Sequence, residues 1–433
     1  MATTYLQRTV STTGSRRKAT FSAWIKKSGQ GEQWFLNSGG NNSTGYNTKI
    51  GFGSTDEIFI INFTSGTNLR YQTTRLLRDR SAWYHIVVVF DTDNSTSADR
   101  VKVYINGTRE TSFFNVTTPS QNLDLEMNQN TSSKNLMAIG TRYNTGDLFD
   151  GLMSHVHWCD GYAYDASAFG STDSVTGEWK INTSPSVTYG TNGFFILKDD
   201  NAVTDRSGQG NNFTLGAGTL TKTEDNPSNV FATWNNLIKS GAPFASYNNG
   251  NTRLVSSSGW GSTLATLGFS KGKHYWEVKG IDSEYTQFGV AESNLNMNDA
   301  GAQDLTGTSL FYNRNGGEMR TNGTETTADY GTFGSSDVMG IAVNMDDKEI
   351  SIYKNGSAIV TDFALSTSIT LAMPMATLYN GATANTNFGN GYFGTTAVTT
   401  NSGNGYAGAD GKSIFNYQPP TGYSALSTKG LNT

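Results

Sequence analysis

The chain holds a single cysteine, Cys159, so no disulfide can close within it, and folding does not depend on an oxidising compartment. Its four histidines leave few imidazoles for metal or acid–base chemistry. Charged residues are scarce, at 15% of the total, and 31 basic against 36 acidic groups give a net charge of −5. The longest basic run, Arg16-Arg17-Lys18, is too short for a nucleic-acid stripe, so neither nucleic acid nor an anionic membrane is an expected partner. No apolar stretch approaches the length of a membrane span; Ile86 to Phe90 is a strand core. The start, Met1-Ala2-Thr3-Thr4-Tyr5, lacks a basic segment followed by an apolar run, so no secretory leader is expected. Triplets such as Asn62-Phe63-Thr64 and Asn106-Gly107-Thr108 are therefore read as composition, not glycan acceptors. Helical periodicity is nearly absent and no heptads occur, which excludes a coiled-coil shaft.

What the chain has in quantity is glycine, 49 residues, together with Ser, Thr and Asn and an aromatic share of 12%. That mixture suits short strands, tight turns and a wide solvated surface, and the aromatics exclude a disordered tract. Thr20-Phe21-Ser22-Ala23-Trp24-Ile25 reads as a strand, and Trp83 to Phe90, mostly apolar, as a central one. Val101-Lys102-Val103-Tyr104-Ile105 follows and ends at Asn106-Gly107, a pair that tolerates the positive φ of a type I′ hairpin. The device recurs: Val338 to Met345, a turn at Asp346-Asp347, then Lys348 to Lys354 and Asn355-Gly356. The fold class is thus all-β, as two antiparallel β-sandwich (jelly-roll) domains in tandem. Residues 1–222 form the first domain and 223–245 a connector, in which Asp225-Asn226-Pro227-Ser228 marks extended chain. Residues 246–400 form the second domain and 401–433 a tail pinned by the turn Pro419-Pro420-Thr421-Gly422-Tyr423.

The first half resembles the concanavalin A-like, laminin-G-type lectins through Phe21-Ser22-Ala23-Trp24-Ile25-Lys26, Trp83-Tyr84-His85-Ile86-Val87, Val103-Tyr104-Ile105-Asn106-Gly107, Ile139-Gly140 and Asp150-Gly151-Leu152-Met153-Ser154-His155-Val156. The second half resembles a SPRY domain through Gly272-Lys273-His274-Tyr275-Trp276-Glu277-Val278, Phe288-Gly289-Val290-Ala291, Gly340-Ile341-Ala342-Val343-Asn344 and Ile352-Tyr353-Lys354-Asn355-Gly356. Other segments resemble virion proteins of marine bacteriophages. They are Asp165-Ala166-Ser167-Ala168-Phe169-Gly170, Tyr189-Gly190-Thr191-Asn192-Gly193-Phe194, Asp205-Arg206-Ser207-Gly208-Gln209-Gly210-Asn211-Asn212-Phe213, Asp225-Asn226-Pro227-Ser228-Asn229 and Phe415-Asn416-Tyr417-Gln418-Pro419-Pro420-Thr421-Gly422-Tyr423. That resemblance implies a virion surface protein, made in the host cytoplasm. A tail fibre or tail-associated receptor-binding protein that contacts host surface glycan and other virion proteins is the first reading, and a capsid decoration or head fibre the second. By analogy such appendages are homo-oligomers, often trimers.

No catalytic residue is assigned. Glycosidases on the resembled fold carry Glu-x-Asp-x-Glu on one strand face, where two carboxylates serve as nucleophile and acid. The nearest match here, Asn122-Leu123-Asp124-Leu125-Glu126, has Asn in the first position, so an enzyme is not expected. His155-x-His157-x-Cys159 lines up three donors on one strand face, which zinc could use with a fourth from elsewhere, but the first reading is polar residues facing a loop or solvent. No Gly-x-Ser-x-Gly elbow marks a serine nucleophile, although counting residues leaves a Ser/His/Asp triad open. Asp91, Asp93 and Asp99 share one hairpin loop. Solvated carboxylates are the first reading, and Ca²⁺ is the alternative. Asp205-x-Ser207-Gly208-x-Gly210-Asn211-Asn212 either returns a strand to the first sandwich or begins the connector. Sugar rings stack on aromatics, so Tyr285, Tyr312, Arg314 and Tyr330 in the second half and Tyr46, Tyr143 and Trp179 in the first are the candidate ligand contacts.

Overall fold

The computed structural model describes residues 3–40, 46–143, 146–198, 202–241, 244, 246–279, 286–295, 309–313, 316–322, 324–398 and 405–432. The described residues form strands, turns and short 3-10 segments with no α-helix. The chain divides into two compact units, 1–222 and 223–433.

In the first unit an eight-stranded antiparallel sheet runs in the order Phe113–Thr117, Thr67–Leu76, Glu57–Phe63, Asn47–Phe52, Gln33–Gly39, Leu136–Ile139, Tyr5–Thr9, Thr214–Ala217. A six-stranded sheet runs Phe194–Ile196, Gly151–Asp160, Lys18–Lys27, Tyr84–Asp91, Val101–Ile105, Thr108–Arg109. Strand alternation sends Leu36, Ile50, Ile60 and Met137 of the first inward against Phe21, Ile25, Val88 and Trp158 of the second. The other face of the six-stranded sheet is buried as well. Val87, Val89, Tyr104 and Cys159 pack there with Phe169, Tyr189 and Phe195, beside the hairpin Gly170–Thr172/Trp179–Ile181. That second layer explains why Ile86 to Phe90 is apolar at every position.

The Asp205–Asn212 segment resolves as the turn that returns the last strand. Asp205 accepts the N–H groups of Phe195, Ser207 and Asn211, at 2.8–2.9 Å. Asn211 donates to the carbonyls of Thr191 and Gly193, at 2.9 and 2.8 Å, and accepts from Arg8. Phe213 then enters the core, and Thr214–Ala217 pairs with Tyr5–Thr9.

In the second unit a seven-stranded sheet runs Trp234–Gly241, Gly261–Ala265, Ala372–Leu378, Thr286–Glu292, Ser309–Asn313, Met319–Thr321, Thr324–Glu325. It faces a sheet ordered Ser246–Asn248, Arg253–Val255, Thr383–Asn387, Lys273–Lys279, Val338–Asn344, Glu349–Lys354, Ser357–Ala364. Trp234, Trp276, Phe288, Ile341 and Ile352 meet in one core. Residues 223–245 are therefore no connector: they supply an edge strand and the buried Phe231, Ala232 and Trp234. Within the tail, Ser424–Ala425 pairs in parallel with Lys273–Lys279, and Phe415 and Leu426 are buried.

The two Asn-Gly hairpins are built alike. Asn106 and Asn355 sit at φ 49° and 50°, and Gly107 and Gly356 at 77° and 82°. Each Asn carboxamide oxygen accepts a backbone N–H of the preceding strand, from His85 at 2.8 Å and from Val338 at 2.9 Å. An aromatic ring caps each glycine, Trp179 over Gly107 and Tyr417 over Gly356, where a Cβ would collide. Replacing Gly107 with Ala is expected to cost about 1–3 kcal/mol through backbone strain and displacement of Trp179, read as a lower denaturation midpoint with altered tryptophan emission.

Candidate functional site

The three carboxylates of the acidic hairpin do not converge on an ion. Asp91 pairs with Lys18 at 3.3 Å, Asp93 with Arg17 at 3.6 Å and Asp99 with Arg109 at 2.7 Å. Among the described residues no group of three or more His, Cys, Asp or Glu side chains is arranged to hold a metal. The calcium alternative is set aside on that ground, since hard cations require several oxygens free to point inward together.

The carboxylates of Asn122–Glu126 are held by cations too, and the segment is not a strand. Asp124 accepts from Arg17 Nε at 2.6 Å, while the buried Glu126 lies 3.1 Å from Lys134 Nζ and 3.6 Å from Arg16. His157 and Cys159 are buried, not turned to solvent, because the second aromatic layer covers them. His155 opens a bulge in its strand, with φ 51°, which breaks the simple alternation. His157 donates to or accepts from the Tyr189 hydroxyl at 2.9 Å and stacks on Phe195 at 3.9 Å. Burial pushes the Cys159 thiol up to about 12, so it presents no thiolate at neutral pH.

A serine–histidine contact does exist, between Ser22 Oγ and His85 Nε2 at 2.9 Å. Its polarity is wrong for catalysis. The indole of Trp179 is a donor only, and its Nε1–H points at His85 Nδ1 at 2.9 Å. Nδ1 is therefore the acceptor, Nε2 carries the proton, and Ser22 receives a hydrogen bond instead of surrendering a proton. Burial also lowers the His85 pKa to about 3, and the ring is stacked between Trp24 and Trp179.

The described aromatic candidates are each engaged within their own unit. Tyr312, on the strand Ser309–Asn313, is a core residue, 2% exposed, whose hydroxyl donates to the Gly331 carbonyl. Tyr330 packs against the same core. Trp179 is committed to His85, Tyr143 to Arg142 through a 2.6 Å hydrogen bond, and Tyr46 lies under Lys134 Nζ at 4.1 Å. Tyr285 and Arg314 lie outside the described residues.

A different cluster stands on the outer face of the eight-stranded sheet. Lys49, on Asn47–Phe52, is opposite Ile61, which is opposite Arg70, so all three share one row across the strands. One step along the strands, Trp34 and Phe59 flank Gly51, and their rings meet at 5.2 Å. Gly51 carries no side chain, which leaves room for the indole. Lys49 Nζ sits 4.6 Å above Trp34 and the Arg70 guanidinium 5.6 Å from Phe59. Arg142 adjoins them, held by Asp147 at 3.0 Å and Glu32 at 3.8 Å, while Glu32 also accepts the Trp34 indole N–H at 3.0 Å. Burial, with repulsion from Arg142, lowers the Lys49 pKa to about 8. Sequence reading missed this group because its members are separated along the chain and only strand register brings them together. The local signal was polar alternation, Lys49 beside Ile50 and Arg70 between Leu69 and Tyr71. Elsewhere on this unit a groove of ≈ 470 Å³ lined by Gln7, Arg8, Leu136, Asn211 and Thr214 is polar, but its Arg8 is already bonded to Asn211 and the Asn192 carbonyl.

Comparison with known proteins agrees with this architecture. Residues 2–166 match the concanavalin A-like lectin/glucanases superfamily, and residues 273–391 match the SPRY domain. A probable ATP-dependent RNA helicase of Dictyostelium discoideum is 31% identical over 135 residues, which cover 31% of this chain and only 17% of the helicase. Among solved structures, the SPRY domain of human HERC1 matches with 20% identity and a TM-score of 0.31, over 35% of this chain and 96% of that one. The PSpry domain of TRIM65 matches with 14% identity and a TM-score of 0.31, over 36% of this chain and 88% of that one. The chain thus carries a concanavalin A-like domain followed by a SPRY domain, two β-sandwiches in tandem.

Proposed function

We propose that this is a non-catalytic recognition protein of a virion surface, whose first unit binds a host surface glycan. The observation that carries the binding reading is the cationic and aromatic face around Lys49, Arg70 and Arg142, where charges are aligned on a rigid sheet. Rigid strands hold side chains with little ordering cost on binding. The carboxylates and the serine–histidine pair described above are engaged in ways that favour binding over hydrolysis. The virion setting comes from the resemblance of the turn and tail segments to phage virion proteins, and a homotrimer is the oligomer it suggests. Whole cells of a susceptible host, incubated with the labelled protein, are expected to retain it, and extracted surface polysaccharide is expected to compete. Absence of cell binding together with immunogold label confined to particle heads would replace this reading with a capsid decoration.

A further inference from the structure

We propose that Lys27 and Asp56 condense to an amide, so that a covalent side-chain bond ties together the two sheets of the first sandwich. The proposal is independent of the recognition reading above.

Three observations converge. The first is position. Lys27 ends the strand Lys18–Lys27 of the six-stranded sheet, and Asp56 lies in the turn between Asn47–Phe52 and Glu57–Phe63 of the eight-stranded sheet. Lys27 Nζ bonds Asp56 Oδ1 from one sheet to the other. An amine that touches one carboxylate oxygen stands one bond away from the carbon it attacks. The turn is fixed on both sides of Asp56. The Leu77 N–H bonds the Asp56 carbonyl at 2.8 Å, and Glu57 accepts from the Thr55 N–H and hydroxyl at 3.0 and 2.8 Å. Two reacting groups held together in this way need no encounter in solution, which removes a large entropic part of the barrier.

The second is the surroundings of the amine. The Lys27 side chain is 0% exposed, and its Nζ lies 4.3 Å from the centre of the Phe52 ring and 3.5 Å from the Gly31 carbonyl. Burial lowers the Lys27 pKa against the pull of Asp56, which enlarges the share of neutral, nucleophilic amine. The third is the charge state. A buried ion pair carries the desolvation cost of two charges, and a neutral amide carries none.

The step balances without a co-reactant. A proton passes from the ammonium to the carboxylate, and the amine lone pair attacks Asp56 Cγ. The Nζ–Cγ bond forms and one Cγ–O bond breaks. The departing hydroxyl takes a second proton from the nitrogen and leaves as water. No electron changes hands, so no oxidant is needed. The result suits a chain whose single cysteine can close no internal disulfide. The amide closes the loop from Lys27 to Asp56, as a disulfide would, but no thiol reductant opens it.

The mass of the intact full chain, unfolded in acid just before measurement, tests the bond. It is expected to lie one water below the mass of the sequence. Trypsin does not cleave after an acylated lysine, so residues 27–49 are expected to stay joined to residues 50–70. Lys27→Met and Asp56→Ala are each expected to show the full mass of their own sequences. Asp56→Asn, whose carboxamide expels ammonia, is expected to lose one ammonia in place of one water. A full mass for the unmutated chain, with residues 28–49 and 50–70 released separately by trypsin, would leave a plain buried ion pair and overturn the proposal. A water lost within a single unlinked peptide, as when an aspartate closes to a succinimide, would overturn it too.

Discussion

A chain of residues 246–433 is expected not to fold, whereas one of residues 223–433 melts cooperatively. The difference lies in a segment whose polar composition imitates a linker. Ala232 N–H bonds the Leu426 carbonyl at 2.8 Å, and Trp234 N–H bonds the Asn251 carbonyl at 2.9 Å. The Trp234 indole, 0% exposed, donates to Thr386 at 3.0 Å. Deleting the segment removes Phe231, Trp234 and Phe244 from buried sites, and large aromatics each contribute about 3–5 kcal/mol. Domains as a whole retain about 5–15 kcal/mol, so the loss exceeds what remains. It also uncovers the hydrogen-bonding edge of Gly261–Ala265. The single substitution Trp234→Ala tests the same contact within the whole chain, with an expected fall of roughly 6–20 °C in the midpoint of the second unit. A 246–433 chain that melts within a few degrees of 223–433 would refute the assignment.

The second large effect centres on Glu277, a buried carboxylate that fastens the chain end to the second sandwich. It accepts the N–H groups of Asn416 and Tyr417, both at 2.8 Å, the Asn387 amide at 3.1 Å and the Tyr275 hydroxyl at 3.3 Å. Burial raises its pKa from 4.5 to about 7, against the opposing pull of those four donors. The unfolded chain releases this proton near the ordinary carboxylate value, while the folded chain retains it until about 7. Between those values the folded state binds more protons, so stability is full below the window, falls as pH rises through it and levels off above. The slope approaches about 1.4 kcal/mol per pH unit at its steepest. Glu277→Gln is expected to flatten this dependence and, by turning donors toward donors, to lower stability by about 1–3 kcal/mol. Glu277→Ala, which orphans every partner, is expected to cost about 3–5 kcal/mol and to expose 405–432 to limited proteolysis. Denaturant midpoints between pH 4.5 and 8 measure both, and a flat profile in the unmutated protein would contradict the account.

Much of the fold is legible in short stretches of sequence, and the exceptions share a cause. Thr20–Ile25 and Val101–Ile105 announce their strands by alternation, and Asn106-Gly107 and Asn355-Gly356 announce their turns by residue type, because those signals act within a few residues. Tyr312, His157 and Cys159 look like surface positions until a second layer or a neighbouring strand covers them, which no local pattern encodes. Asn226-Pro227 reads as extended chain, yet Asn226 and Asn229 exchange backbone hydrogen bonds across a tight turn, and the pair says nothing of Phe231 and Trp234 just beyond it. The Lys49–Arg70 row is a product of register: each residue is ordinary alone, and only the pairing through Ile61 places two cations on one line.

In each unit the first and last segments are neighbours. Tyr5–Thr9 pairs with Thr214–Ala217, and Phe231 bridges Ser427. A polypeptide that enters and leaves a sandwich at one place can carry it as a self-contained insert, because the host chain need not span the body to continue. Each unit is thus a cassette open to transfer between unrelated proteins, and the closing segments, 202–222 in one and 405–432 in the other, must travel with it.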